Sequence, residues 1–257
     1  MSSADLSVDT IKLMTTPWHG TRGRADWAPP TKGGGSALGA RDYSDVLVKA
    51  HEYADDPAVL RAKVRALAGM VRAAGARVVA FTGAGISPAA GIDDYATKAK
   101  RASVTAAGRP LVRDWKLARP TLAHRALAAM HRAGRLAMWV QQNHDSLPQK
   151  AGYPQRCLNE SHGSLHDPAN PIVPYEGTLR DDLFAWLEEW REKCGLCLAL
   201  GTSLSGFNVD AFAEAAAARG ARGDGEGLVL VNLQARENVP SLSAESSLSD
   251  SRARARA

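Results

Sequence analysis

Four apolar runs in this sequence are each followed at once by small or polar residues. Val78-Val79-Ala80-Phe81-Thr82 leads into Gly83-Ala84-Gly85-Ile86-Ser87. Leu136-Ala137-Met138-Trp139-Val140 leads into Gln141-Gln142-Asn143-His144-Asp145. Leu196 to Leu200 leads into Gly201-Thr202-Ser203, and Leu228 to Val231 leads into Asn232-Leu233-Gln234. In an open parallel sheet, ligands bind outside the carboxyl ends of the strands. Four such ends carrying Gly, Asn, Asp, Ser and Thr therefore predict a polar small-molecule site.

The Gly83-Ala84-Gly85 turn has a chemistry of its own. Glycines there let the backbone approach a pyrophosphate, and a helix starting there offers free N–H groups and positive potential. The dehydrogenase fingerprint fails, however. Its third glycine falls on Pro88, and the acidic ribose clamp is missing, because residues 96 to 113 contain no Asp or Glu. Hydride transfer of the ordinary kind is excluded on that ground. A glycine turn with no ligand remains the competing explanation. His162 is one of seven histidines. An imidazole with a pKa near 6.5 suits a general base at neutral pH, but residue type alone does not single it out.

The elements that would position these groups follow from periodicity. Val59, Leu60, Val64, Leu67 and Val71 recur at helical spacing after Pro57, with Gly75 as the stop. A strand over Arg77–Thr82 follows, and a helix with Ala89, Ala90 and Ile92 is expected behind the glycine turn. Pro120-Thr121 opens a helix that ends at Gly134. Strands are expected at 136–140, 196–200 and 228–232, and helices at 179–190 and 211–218. The stretch 146–177 is rich in loops. Strands alternating with helices predict an α/β fold, with a parallel sheet covered on both faces.

The chain has 257 residues, of which 45% are hydrophobic and 23% charged, so one large domain or two small ones can bury a core without disulfides. Three cysteines argue against a secreted disulfide scaffold and exclude a four-thiolate zinc site made by this chain alone. No apolar run is long enough to span a bilayer, and the first residues do not read as a secretory signal, so a reducing compartment is expected. The net charge of +5 permits a nucleic-acid or chromatin partner without demanding one. The domain reading is a poorly ordered segment over 1–43, a nucleotide-binding domain over 44–240, and a disordered basic tail over 241–257. The basic stretch 96–119 reads as a solvated loop. Cys194-Gly195-Leu196-Cys197 opens an apolar strand and reads as buried cysteine.

Taken together, the blocks resemble the sirtuin family. Gly83-Ala84-Gly85-Ile86-Ser87 with Gly91-Ile92-Asp93-Asp94-Tyr95, Gln142-Asn143-His144-Asp145, His162-Gly163, Gly201-Thr202-Ser203-Leu204 and Val231-Asn232-Leu233-Gln234 look like the family's signature segments, in the family's order. Ala118-Arg119-Pro120-Thr121, Gly152-Tyr153-Pro154 and Leu179-Arg180-Asp181 look most like its nuclear, class IV subgroup. The resemblance implies a Rossmann-like sheet, here with a reduced small domain, and NAD-dependent removal of acyl groups from lysine. In that chemistry the acyl-lysine carbonyl oxygen attacks the nicotinamide ribose and expels nicotinamide. A histidine acts as base toward a ribose hydroxyl, and the acyl group ends on ADP-ribose.

On this resemblance His162 is the base. Gly83, Ala84, Gly85 and Ser87 form the phosphate turn. Asp94 and Tyr95 lie over the nicotinamide end, Gln142, Asn143 and Asp145 meet ribose and carboxamide, and Gly201, Thr202 and Ser203 line phosphate or ribose. Asn232 and Gln234 meet the adenosine half. NAD is the implied cofactor. An acyl-lysine protein, with histones as one candidate, is the implied partner, together with chromatin association and a nuclear location (a cytoplasmic one being the alternative).

The chain also departs from the family. Asp93 stands for the loop proline, Ala96 for the loop arginine and His144 for an apolar residue. None of the four ribbon cysteines lies between 164 and 193, so zinc is not expected. These departures bear on turnover and leave three alternatives open. One is an NAD glycohydrolase or ADP-ribosyltransferase. Another is a catalytically dead NAD- or ADP-ribose-binding paralogue, and the last is a basic chromatin accessory module.

Overall fold

The computed structural model describes residues 19–41, 44–94, 112, 114–174, 177–202, 204 and 208–233. Tyr95, Ser203, Gln234, most of the basic stretch 96–119 and the tail 241–257 lie outside the described residues. Among the described residues there are seven strands: β1 (Thr31–Arg41), β2 (Ser44–Ala54), β3 (Val78–Thr82), β4 (Met138–Gln141), β5 (Leu158–Asn159), β6 (Leu196–Leu200) and β7 (Gly227–Val231). The helices are α1 (Pro57–Ala74), α2 (Leu122–Arg132), α3 (Leu147–Lys150), α4 (Asp181–Lys193) and α5 (Ala211–Arg222).

Strands β3 to β7 form one sheet in the order β5-β4-β3-β6-β7, with every neighbouring pair parallel. The chain enters at the middle strand, winds outward through β4 and β5, and returns to build β6 and β7 on the other side. The switch point of this winding lies between β3 and β6, where doubly wound folds hold their ligands. Strands β3, β4 and β6 are buried on both faces, so they read as continuous apolar runs. Val78 and Ala80 face a core that contains Met70 and Ala74 of α1 and Leu127 and Ala128 of α2. Val79 and Phe81 face the other core, with Leu187 of α4 and Phe212, Ala213 and Ala216 of α5. Phe81 and Phe212 stack with ring centroids 6.3 Å apart. Each aromatic of this kind buries a large apolar area and anchors its layer.

Local chemistry sets the helix ends. The Asp56 carboxylate accepts from the Ala58 and Val59 N–H groups at the start of α1, ahead of Pro57 in the first turn. Thr121 and His124 form a capping box on α2.

The structure corrects the expected element list in three places. The run behind Gly83 is not an α-helix but two short 3₁₀ turns, Ala84–Ile86 and Pro88–Ala90. The 146–177 stretch holds α3 and the short strand β5, so the sheet has five strands, not four. β5 pairs through only two residues, Leu158 and Asn159, too few to show a period. Periodicity also assigns nothing before residue 56, yet β1 and β2 form an antiparallel hairpin. Its first strand, Thr31-Lys32-Gly33-Gly34-Gly35-Ser36-Ala37-Leu38-Gly39-Ala40-Arg41, has no apolar alternation and pairs with register shifts. Backbone pairing defines it, and backbone pairing leaves little sequence signal. The end of β2 is tied to the end of β7 by the Tyr53 N–H, which donates to the Leu233 carbonyl at 2.8 Å.

Candidate functional site

The turn behind β3 packs directly on the turn behind β6. The Gly83 N–H donates to the Leu200 carbonyl at 3.2 Å and the Gly85 N–H to the Gly201 carbonyl at 2.8 Å. A Cβ on Gly85 would come within 2.9 Å of Gly201 Cα, and one on Gly201 within 2.5 Å of the Ile86 nitrogen. Gly201 also holds φ +58, a conformation side chains disfavour. The glycines expected to make room for a pyrophosphate are thus required by backbone packed on backbone at the switch point. The two turns form one rigid rim.

On that rim the segment after β4 is locked by its own side chains. Ser87 Oγ donates to Asp145 Oδ2 at 2.7 Å, and Asp145 Oδ1 accepts the Leu147 N–H at 3.0 Å. Asn143 Nδ2 donates to the Gly83 carbonyl at 3.0 Å and lies 3.3 Å from Ser87 Oγ. Both bonds use the amide nitrogen, which turns the Asn143 amide oxygen toward acceptor work. Gln142 Nε2 donates to Asp210 Oδ1 at 3.0 Å, and its Oε1 accepts the Thr202 hydroxyl at 3.1 Å. Gly83, Gly85, Ser87, Gln142, Asn143, Asp145, Gly201 and Thr202 therefore meet at the ends of β3, β4 and β6. Ala84 sits in the turn between the two glycines. Asp94 lies beyond the 3₁₀ turns, half-buried, and Asn232 is exposed just after β7.

His162 reaches the cluster from another direction. It follows β5 on a turn closed by the Gly163 N–H donating to the Glu160 carbonyl at 2.9 Å. Gly163 holds φ +88, and a Cβ there would lie 2.2 Å from the Pro171 carbonyl oxygen. Residues 164–173 double back over this turn as a strap. The Val173 N–H donates to the His162 carbonyl at 3.0 Å, and Asn170 Nδ2 to the Glu160 carbonyl at 3.0 Å. The His162 imidazole bonds the Gln142 backbone, which favours its protonated form. Burial first, and the nearby His144 second, outweigh that bond and lower its pKa to about 4. The ring is thus neutral at pH 7 and able to accept a proton.

Several residues of the site carry no signal readable from a strand end. Asp210 is buried just ahead of α5. An acid in an alanine-rich helix start reads as a cap, but its carboxylate holds Gln142 instead. His124, fully buried in α2, meets the Thr121 hydroxyl at 2.7 Å, and that hydroxyl reaches the Ile86 carbonyl at 3.0 Å. Burial lowers the His124 pKa to about 4, against a partly opposing pull from Asp145. Glu160 is buried with its Oε1 lacking a hydrogen-bond partner, and burial pushes its carboxyl up.

The rim fits a dinucleotide in charge: its polar groups are neutral amides and hydroxyls, and the carboxylates of Asp145 and Asp210 are already held by protein donors. It is not a set of donors built for a metal. It does not fit a structural zinc. Cys194 and Cys197 are buried free thiols, burial pushes Cys194 up to about 12 and Cys197 well above its usual value, and no cysteine lies between 164 and 193. The reading of this pair as buried cysteine is borne out.

No family model matches the chain. Among curated proteins it is similar to the NAD-dependent protein deacetylase sirtuin-7 of Rattus norvegicus, 40% identical over 116 residues, covering 45% of this chain and 29% of the relative. It is similar to the NAD-dependent protein deacetylase SRT1 of Oryza sativa subsp. indica, 38% identical over 120 residues, 44% of this chain and 24% of the relative. It is also similar to Sirt6 of Drosophila melanogaster, 33% identical over 133 residues, 50% of this chain and 41% of the relative. The matched region thus spans less than half the length of these relatives. Among solved structures, "Structure of Sir2Tm bound to a propionylated peptide" aligns with a TM-score of 0.52 at 22% identity, covering 67% of this chain and 87% of that one. "Sir2-p53 peptide-NAD+" aligns with a TM-score of 0.52 at 22% identity, covering 66% and 87%. These likenesses show the Rossmann-like fold. The fold and the sequence agree: over the matched region the chain is similar to sirtuins in both.

Proposed function

We propose that the chain binds NAD across the ends of β3, β4, β6 and β7 and removes acyl groups from protein lysine, with His162 as general base. The observation that supports this best is convergence. Gly83–Ser87, Gln142–Asp145, Gly201–Thr202 and His162 come from four separate stretches and meet at one rim, where His162 bonds the Gln142 backbone. Bound there, NAD supplies the ribose carbon that accepts the acyl oxygen as nicotinamide leaves.

The chain's own residues do the rest. The Gly83–Gly85 turn and Thr202 face the phosphates and their ribose, and Asn232 serves the adenosine half. Asn143 presents its amide oxygen, and Asp145, fixed by Ser87 and the Leu147 N–H, orients the nicotinamide end. His162, neutral at pH 7, takes the proton of a ribose hydroxyl and so makes that oxygen the nucleophile toward the acyl carbon. The substrate is an acyl-lysine protein, a nuclear protein such as a histone among the candidates.

Calorimetry with ADP-ribose and a coupled assay of acetyl-lysine peptide turnover test this reading. Binding with NAD-dependent deacylation is the expected result. Absence of heat at millimolar ADP-ribose contradicts it. One observation favours a second reading, NAD glycohydrolysis or ADP-ribosyl transfer to another nucleophile. Where the resemblance implies a zinc ribbon bordering the acyl-peptide groove, this chain has no cysteine between 164 and 193. Nicotinamide release at an equal rate with and without peptide would favour it.

A further inference from the structure

The segment after β4 and the segment carrying His162 are stitched together by three bonds. His144 Nδ1 lies 3.0 Å from the Gly163 carbonyl oxygen, the Leu165 N–H donates to the His144 carbonyl at 3.2 Å, and Ser146 Oγ lies 3.1 Å from Ser164 Oγ. His144 takes part in two of the three. A carbonyl can only accept, so His144 carries its proton on Nδ1, and Nε2 is the nitrogen left to take another. The stitch holds Gly163, the residue that follows His162 in the chain.

We infer that His144 is a positioning residue for His162: the bonds made by its ring and its backbone carbonyl fix the turn that carries His162. This rests on the reading of His162 as the base.

Two variants test this. His144→Asn keeps an N–H donor in the place of Nδ1; His144→Leu removes it. In His144→Leu, amide exchange at Gly163 and Leu165 speeds about fivefold, as for a lost hydrogen bond, and deacylation falls. His144→Asn restores both the slow exchange and the rate. Unchanged exchange in His144→Leu, or exchange in His144→Asn as fast as in His144→Leu, overturns the inference. Because exchange needs no turnover, a wild type that fails to deacylate would defeat the proposed function and leave this readout to judge His144 separately.

Discussion

The rim at the switch point and the strap over His162 are built in opposite ways. The rim is backbone against backbone. Gly83, Gly85 and Gly201 leave no room for side chains, and the polar groups of Ser87, Asn143, Asp145, Gln142 and Thr202 are bonded to one another. The strap is a single crossing of chain held by a few bonds. It exposes Leu165 and Ile172 and covers a carboxyl, on Glu160, with one oxygen unpartnered. A rim locked backbone on backbone cannot move without parting β3 from β6, while a strap held by a few bonds can. The turn that carries His162 is therefore the part that can shift.

Acid titration tests both halves at once and has the largest expected effect. His124 lies under the rim and His162 under the strap, and both titrate near pH 4 when folded against 6.5 in the ordinary case. Between those values the unfolded chain takes up the protons, so stability is complete above pH 6.5 and falls as the pH drops to 4. Each histidine accounts for about 3 kcal/mol of that loss. Urea melts across this window should show it, and His162→Gln should remove its share. A wild type equally stable at pH 4 and 7 contradicts the burial of both rings.

Gly201→Ala comes next. Its Cβ would sit 2.5 Å from the Ile86 nitrogen. We expect a loss of about 3 kcal/mol in urea unfolding together with lost ADP-ribose binding, since the rim cannot shift without parting β3 from β6. Asp145→Ala follows, with a loss of about 2 kcal/mol from leaving Ser87 Oγ and the Leu147 N–H unpaired in a buried place. Gly163→Ala should be the mildest for stability, about 1 kcal/mol, because the strap can move away. It should still lower deacylation at least tenfold by displacing the His162 turn. If Gly163→Ala destabilised the fold as much as Gly201→Ala, the contrast between rim and strap would be gone.

The sheet and the rim were readable because they rest on patterns longer than a turn. The apolar runs of β3, β4, β6 and β7 announce a parallel sheet, and the residues just behind them announce the site. What escaped rests on single contacts between distant segments. Asp210 looks like a helix cap until Gln142 is seen against it. The glycines at 83 and 85 look ligand-made until Gly201 is seen against them. β5 is too short to show alternation, and the β1–β2 hairpin is written in backbone bonds that side-chain periodicity does not register. His144 is visible in the sequence as a histidine where the family has an apolar residue, but its bond to Gly163 depends on the path of the strap.

The central claim is that the turn after β5 delivers His162 to the cofactor rim as the base. Wild type and His162→Ala, each first shown by calorimetry to bind ADP-ribose equally, should be compared for formation of acylated ADP-ribose from NAD and an acetyl-lysine peptide. The account predicts a loss of about 10²–10⁴-fold in the variant, the usual worth of a positioned base. Equal rates of product formation would contradict it.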